Sequence, residues 1–238
     1  MDDATAVLDL DFRPRPTADR PLLGLTVLVV EDSRFAADAV RLLCLRSGAR
    51  IRRADSISAA ERHLNVYRPS VAIVDLGLPD GSGLDLIAQM HTARPRVPII
   101  LGTSGADRDL SDQQARGAGA DGFLPKPIEA LAQFQAAILT HVPDALRPKP
   151  PHPVTNDHVH PDMISYREDL IHAMDLLALD DPPAQYLRRF LLGLSRVAHD
   201  QDLEHLSYTM DDRLAGTDRH ALRRMLSQRI QSLPQTVR

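Results

Sequence analysis

Three short stretches of this 238-residue chain are apolar without polar alternation: Leu25–Val30, Val71–Val74 and Val97–Leu101. A strand with one face in water alternates apolar and polar residues. Runs like these fit strands buried on both faces, as in a parallel sheet covered by helices. Weaker runs at 49–52 and 122–124 bring the expected strands to five. Helical stripes separate them. Phe35, Ala39, Leu42 and Leu43 share one face, and Gly48 closes that helix. Ser58 and Glu61 have capping-box spacing ahead of Ala60 and Leu64. Leu84, Ile87 and Met90 precede Pro95; a poorly apolar helix is expected over 107–117. Pro127 suits the first position of a helix carrying Leu131, Phe134 and Ile138. Strands and helices in alternation predict a doubly wound α/β unit with right-handed crossovers.

The second half differs. Residues 143–161 hold six of the 18 prolines, the composition of a linker. Residues 162–234 carry four helical stripes: Ile164, Ile171, Met174; Leu187, Phe190, Leu191, Leu194; Leu203, Leu206, Met210; and Leu222, Met225, Leu226, Ile230. Breaks at Asp181–Pro183, His199–Asp200 and Gly216–Asp218 are short, which predicts antiparallel packing. The expected layout is an N-terminal arm over 1–21, an α/β domain over 22–142, a linker over 143–161 and an all-α domain over 162–238. Val7, Leu8, Leu10 and Phe12 are the arm's docking candidates.

Composition narrows the function. The net charge of −4 argues against an electrostatic nucleic-acid binder over the whole chain. No apolar run approaches the roughly 18–20 residues of a membrane span. The acidic N-terminus lacks a leader pattern, and a single cysteine, Cys44, excludes an internal disulfide. A cytoplasmic location is expected. Cys44 falls on the buried side of the first helix, as a core residue. Of 28 basic residues only Lys126 and Lys149 are lysines, which draws notice to each.

Ligands of open parallel sheets bind at the carboxyl ends of the strands. There this sequence has Glu31 and Asp32, Asp75, Thr103, and Lys126. Asp75 directly abuts Val71–Val74, so its carboxylate is partly desolvated and needs a counter-charge or a metal. Three carboxylates at one rim suit a hard divalent cation such as Mg2+. A carboxylate nucleophile, a cation, an ammonium and a hydroxyl together suit phosphoryl transfer to aspartate.

Four segments carry a family resemblance: VLVVEDS at 27–33, VDLGLPDGSG at 74–83, PIILGTSG at 98–105 and GADGFLPKP at 119–127. In this order and spacing the chain resembles the receiver domain of bacterial two-component response regulators over about residues 23–142. The resemblance implies a flavodoxin-like, doubly wound five-stranded sheet. It implies Asp75 as phosphoacceptor, and Glu31, Asp32, Asp75 and the Gly77 carbonyl as Mg2+ ligands. Thr103, or Ser104 beside it, matches the switch hydroxyl. Lys126 matches the family lysine, and Phe123 the aromatic switch residue. Pro79 and Gly83 fit the turn after the acceptor, and a cis Lys126–Pro127 bond is implied. Ile128 departs from a common phenylalanine, and the charged dimer face of DNA-binding members is not evident. The implied partner is a sensor histidine kinase or a histidine phosphotransfer protein. The protein is then a regulatory phosphoacceptor, not an enzyme beyond its own phosphorylation and dephosphorylation.

For the helical half the favoured expectation is a protein-interaction or homodimerisation module, with a downstream protein partner preferred to DNA. DNA-binding transcriptional output and a phosphotransfer-like role for His199, in AHDQDLEHL, are the alternatives. Arg219, Arg223, Arg224 and Arg229 form a basic stripe, yet residues 162–238 hold 12 acids against 10 arginines. His152, His158 and His160 lie in the Pro-rich stretch, a poor frame for metal ligands.

Overall fold

The apolar runs form the strands of one five-stranded sheet. In a computed structural model that describes residues 15–148, 157–210 and 216–234, these are β1 (Thr26–Val30), β2 (Arg50–Ala54), β3 (Val71–Asp75), β6 (Ile99–Ser104) and β7 (Gly122–Pro125). A two-residue hairpin, β4 (Gly77–Leu78) with β5 (Gly81–Ser82), follows β3. All pairs in the large sheet are parallel, in the order β2-β1-β3-β6-β7. That is the flavodoxin-like doubly wound order.

Successive side chains of a strand face opposite sides, so each strand feeds two cores. Val27, Val29, Val71, Ile73, Ile99 and Leu101 face α1 (Arg34–Ser47) and α5 (Leu131–Leu139). Leu28, Val30, Ala72, Val74 and Ile100 face α2 (Ile57–Val66), α3 (Gly83–Thr92) and α4 (Arg108–Gly117). Cys44 is fully buried in the first core.

Two predicted helix starts shift. Ser56, not Ser58, caps α2, accepting from the Ala59 N–H. Asp80, in the β4–β5 turn, accepts from the N–H groups of Ile57 (2.8 Å) and Ser58 (2.9 Å). Burial opposes that charge, but these hydrogen bonds, with those from the Asp80 N–H and the Ser58 hydroxyl, together outweigh it and lower the carboxyl's pKa. Helix α5 begins at Leu131, not at Pro127. Lys126–Pro127 is cis, and the next residues run extended beside the chain at 157–159: Val159 N–H donates to the Glu129 carbonyl, and Leu131 N–H to that of Asp157. Val159 is buried against the sheet core. The chain at 157–159 is thus docked; residues 149–156 of the expected linker, with His152, lie outside the described residues, as do Val7, Leu8, Leu10 and Phe12 of the arm.

Helices α6 (Met163–Ala178), α7 (Ala184–Val197), α8 (Gln201–Thr209) and α9 (Gly216–Ser232) follow. Leu170, Leu177, Leu187, Leu191, Leu194, Leu203, Leu222 and Leu226 are among their buried residues, and Phe35 and Ala36 of α1 belong to the same core. The Phe35 and Tyr166 rings lie 5.3 Å apart. Asp169 of α6 reaches the start of α1. It accepts from the Ser33 hydroxyl (2.7 Å) and the N–H groups of Arg34 and Phe35 (3.0 Å each). Helix N-termini carry unsatisfied donors and partial positive charge, so a carboxylate fits there. Burial raises the Asp169 carboxyl's pKa against those donors. No helix among the described residues is long and apolar enough to cross a membrane.

Two predictions follow from this packing. Asp169→Ala leaves the start of α1 without its anionic acceptor and should lower stability by roughly 2–3 kcal/mol, read by chemical denaturation; an unchanged midpoint would show that water replaces the carboxylate. Burial pushes the Cys44 thiol up to about 12, and the thiolate is the nucleophile. The folded protein should therefore resist iodoacetamide at pH 8, with labelling appearing on unfolding, as mass spectrometry would record.

Candidate functional site

The chain leaves β1 toward one edge of the sheet and leaves β3 toward the other. The crevice at that switch point, outside the strands' carboxyl ends, is where doubly wound folds bind ligands. Glu31 and Asp32 follow β1 directly, and Asp75 ends β3. Thr103 is the register partner of Asp75 on β6. Lys126 follows β7, its N–H donating to the Ser104 carbonyl at 3.0 Å. Four strand ends therefore deliver Glu31, Asp32, Asp75, Thr103 and Lys126 to one rim.

Lys126 Nζ donates to a carboxylate oxygen of Glu31 (2.7 Å) and to Asp75 Oδ2. The Gly77 N–H donates to Asp75 Oδ1 at 3.1 Å. The hairpin that carries Gly77 closes back on Gly83, where an added Cβ would stand 1.9 Å from the Asp75 carbonyl oxygen. Only glycine permits that approach. Carboxylate oxygens of Glu31, Asp32 and Asp75 lie within 4.8 Å of one another.

The two candidate hydroxyls differ. Ser104 Oγ accepts from the Ala106 N–H (3.0 Å) and serves its own turn. Thr103 Oγ1 is buried with no hydrogen-bond partner. A buried unpaired hydroxyl costs about 1–3 kcal/mol, so its position calls for a ligand. Phe123, in register with Gly102, is half-buried against the α3–α4 side of the sheet.

Burial dominates the electrostatics. It raises the Glu31 carboxyl well above the ordinary value; Lys126 opposes that shift, and the Asp75 and Asp32 charges add to it. Burial, then the Asp75 charge, lifts Asp32 to about 6 against the Tyr186 hydrogen bond. For Lys126 burial acts to lower the pKa, but Asp75 and Glu31 together hold it above the usual lysine value. The ammonium stays charged because two carboxylates flank it.

Sequence reasoning missed one wall of this pocket. The Tyr186 hydroxyl of α7 donates to Asp32 Oδ2 at 2.5 Å. The Arg189 side chain lies over Gly77, and Gly193 lies over Gly105 and Lys126: a Cβ built on Gly105 would stand 2.6 Å from Gly193 Cα. The Arg196 guanidinium donates to the Ala106 carbonyl (2.9 Å). An isolated glycine inside α7, beside its apolar stripe, was the available signal, since a glycine within a helical pattern can have a packing reason.

Four of the remaining candidates, His158, His199, Arg219 and Arg229, have structural partners. His199 has φ +53° at the end of α7, and its Nε2 lies 2.6 Å from Glu129 Oε1. His158 Nδ1 is 3.9 Å from the same carboxylate. Arg219 donates to the carbonyls of Leu177 and Leu179, and Arg229 to Asp200 and Asp202. The acidic group at the sheet rim is the one metal-compatible cluster among the described residues.

Residues 27–138 match the family model of the response regulator receiver domain. The chain is similar to the transcriptional regulatory protein PhoP of Escherichia coli O157:H7, 34% identical over 116 residues, which cover 47% of this chain and 51% of that protein. The virulence transcriptional regulatory protein PhoP of Salmonella typhi matches over the same share at the same identity. The chain thus spans about half the length of the curated relatives it matches. The signal receiver domain of a DNA-binding response regulator from Colwellia psychrerythraea 34H is 21% identical with a TM-score of 0.45, covering 49% of this chain and 96% of that one. Residues 27–138 of this chain are a response regulator receiver domain.

Proposed function

We propose that Asp75 accepts a phosphoryl group from the phosphohistidine of a sensor kinase or a phosphotransfer protein. A carboxylate oxygen of Asp75 attacks phosphorus, the P–N bond to the donor imidazole breaks, and the imidazole leaves with the bonding pair. Water later hydrolyses the acyl phosphate and restores the carboxylate. The observation that carries this reading is the Thr103 hydroxyl, buried without a partner beside the Asp75 carboxylate and its Lys126 counter-ion. A phosphoryl oxygen would satisfy it.

The acidic cluster fits a hard divalent cation. Glu31, Asp32 and Asp75, with the Gly77 carbonyl, are the ligands we assign to Mg2+, which when bound neutralises negative charge on the phosphoryl oxygens. Lys126 supplies the second positive charge, and Thr103 the hydrogen bond. Ser104 is held by its own turn, which favours Thr103 as the switch hydroxyl. Drawing Thr103 toward a phosphoryl oxygen loosens the packing around Phe123 and shifts the receiver between two surface states.

The helical segment is then the output, and we read it as a protein-interaction module under receiver control. The names of the PhoP relatives favour transcriptional output instead, over the half of the chain that matches. Two observations weigh against DNA: the acidic balance of residues 162–238, and the engagement of Arg219 and Arg229 within the helices. A phosphotransfer role for His199 gains no support from its place at a helix end beside Glu129.

Asp75→Asn should abolish hydroxylamine-sensitive phosphoryl incorporation from acetyl phosphate, followed by mass spectrometry; retention of the added mass would remove Asp75 from the assignment. Lys126→Met leaves Glu31 and Asp75 without their ammonium. Breaking a buried pair from one side costs about 3–5 kcal/mol, so the denaturation midpoint should fall, and adding Glu31→Gln should restore part of the loss. No recovery in the double variant would show that Glu31 is not the burdened group.

A further inference from the structure

We infer that α7 is an intramolecular cap on the acceptor pocket, and that the receiver takes a phosphoryl group from a protein donor only after this cap has left. The inference rests on the reading of Asp75 as the acceptor.

The cap is built by one face of a helix. Tyr186, Arg189, Gly193 and Arg196 recur at three- and four-residue spacing, so they share a stripe. That stripe faces the receiver, through Asp32, Gly77, Gly105 with Lys126, and Ala106 respectively. The neighbouring stripe, Leu187, Phe190, Leu191 and Leu194, belongs to the helical core. One helix therefore seals two bodies at once, and its removal from the pocket carries the other helices with it.

The seal is tight where the chemistry needs room. In-line displacement sets the leaving group opposite the attacking oxygen, so the donor imidazole must approach from the outer side of the pocket. Gly193 lies over Gly105 at the mouth of the pocket. A Cβ added to it would stand 3.5 Å from Lys126 Nζ, so a single methyl group would fill the gap between the α7 backbone and the ammonium that has to receive the phosphoryl oxygens. Asp75 and Lys126 are each only 8% exposed. Tyr186 adds a second conflict. Its hydroxyl hydrogen-bonds Asp32 Oδ2, on one of the three carboxylates assigned to the cation. Cap docking and occupation of the pocket therefore compete for the Asp32 carboxylate and for the space beside Lys126, and by linkage whatever fills the pocket weakens the cap. The released stripe, with Phe35 of α1 uncovered beside it, is the surface that changes with the signal.

The test is amide hydrogen exchange of peptides spanning 184–197 in the full chain, with and without Mg2+ and beryllofluoride as the phosphoryl mimic. Exchange in α7 should rise at least tenfold on binding in the wild type and stay unchanged in Asp75→Asn. Gly193→Leu should exchange rapidly before any ligand is added. Tyr186→Phe, which keeps the ring and loses one hydrogen bond to a charged group, should reach the open state at about tenfold lower Mg2+. Beryllofluoride binding with unchanged or slower exchange in α7 would overturn the cap; slower exchange would make Arg189 a clamp on the occupied pocket. Absence of beryllofluoride binding in the wild type and in both α7 variants would overturn the acceptor reading and the cap with it, whereas binding confined to the α7 variants would support both.

Discussion

One ammonium group, Lys126 Nζ, stands between the carboxylates of Glu31 and Asp75 in a pocket nearly closed to water. Without it, three acidic side chains could not share that rim, because desolvation and mutual repulsion would protonate them or drive them apart. Its position depends on long-range order. Lys126 follows the edge strand β7, Asp75 ends the central β3, and Glu31 follows β1. A register error in any strand would move one charge by more than 3 Å and leave another unpaired. The sheet is therefore the device that sets the electrostatics, and it leaves the Thr103 hydroxyl beside Asp75 buried and unpaired.

The helical segment is joined to the receiver by more than the chain. Asp169 serves as an acceptor for α1, and Phe35 and Ala36 complete a core that is otherwise built from α6 to α9. The first turn of α1 has two partners as a result. It follows Glu31 and Asp32 by only a few residues, so the acidic pair and the helical core are joined by one short segment.

The sheet, its helices and the placement of the five candidate residues at one rim were legible because they rest on local pattern and on strand termini: apolar runs of four to six residues, and polar residues at or just beyond their ends. The helix starts were less so. Ser58 has the right spacing for a cap, yet Ser56 takes the role because Asp80, from a turn more than twenty residues away, holds the N–H groups of Ile57 and Ser58. Pro127 suits a helix start, yet the residues after it are drawn into extended pairing with 157–159. In both cases a distant segment outcompetes a local preference.

From the sequence alone come the parallel sheet, the grouping of Glu31, Asp32, Asp75, Thr103 and Lys126 at one rim, and the receiver resemblance, since periodicity and strand-end chemistry are properties of neighbours in the chain. The tertiary structure alone decided that Tyr186 bonds Asp32, that Gly193 lies against Lys126, and that Asp169 holds the start of α1. These pairs lie between roughly 65 and 155 residues apart, and no local pattern encodes which helix face meets which pocket. That choice follows from shape and charge complementarity between two assembled surfaces, which exist only once both halves have folded.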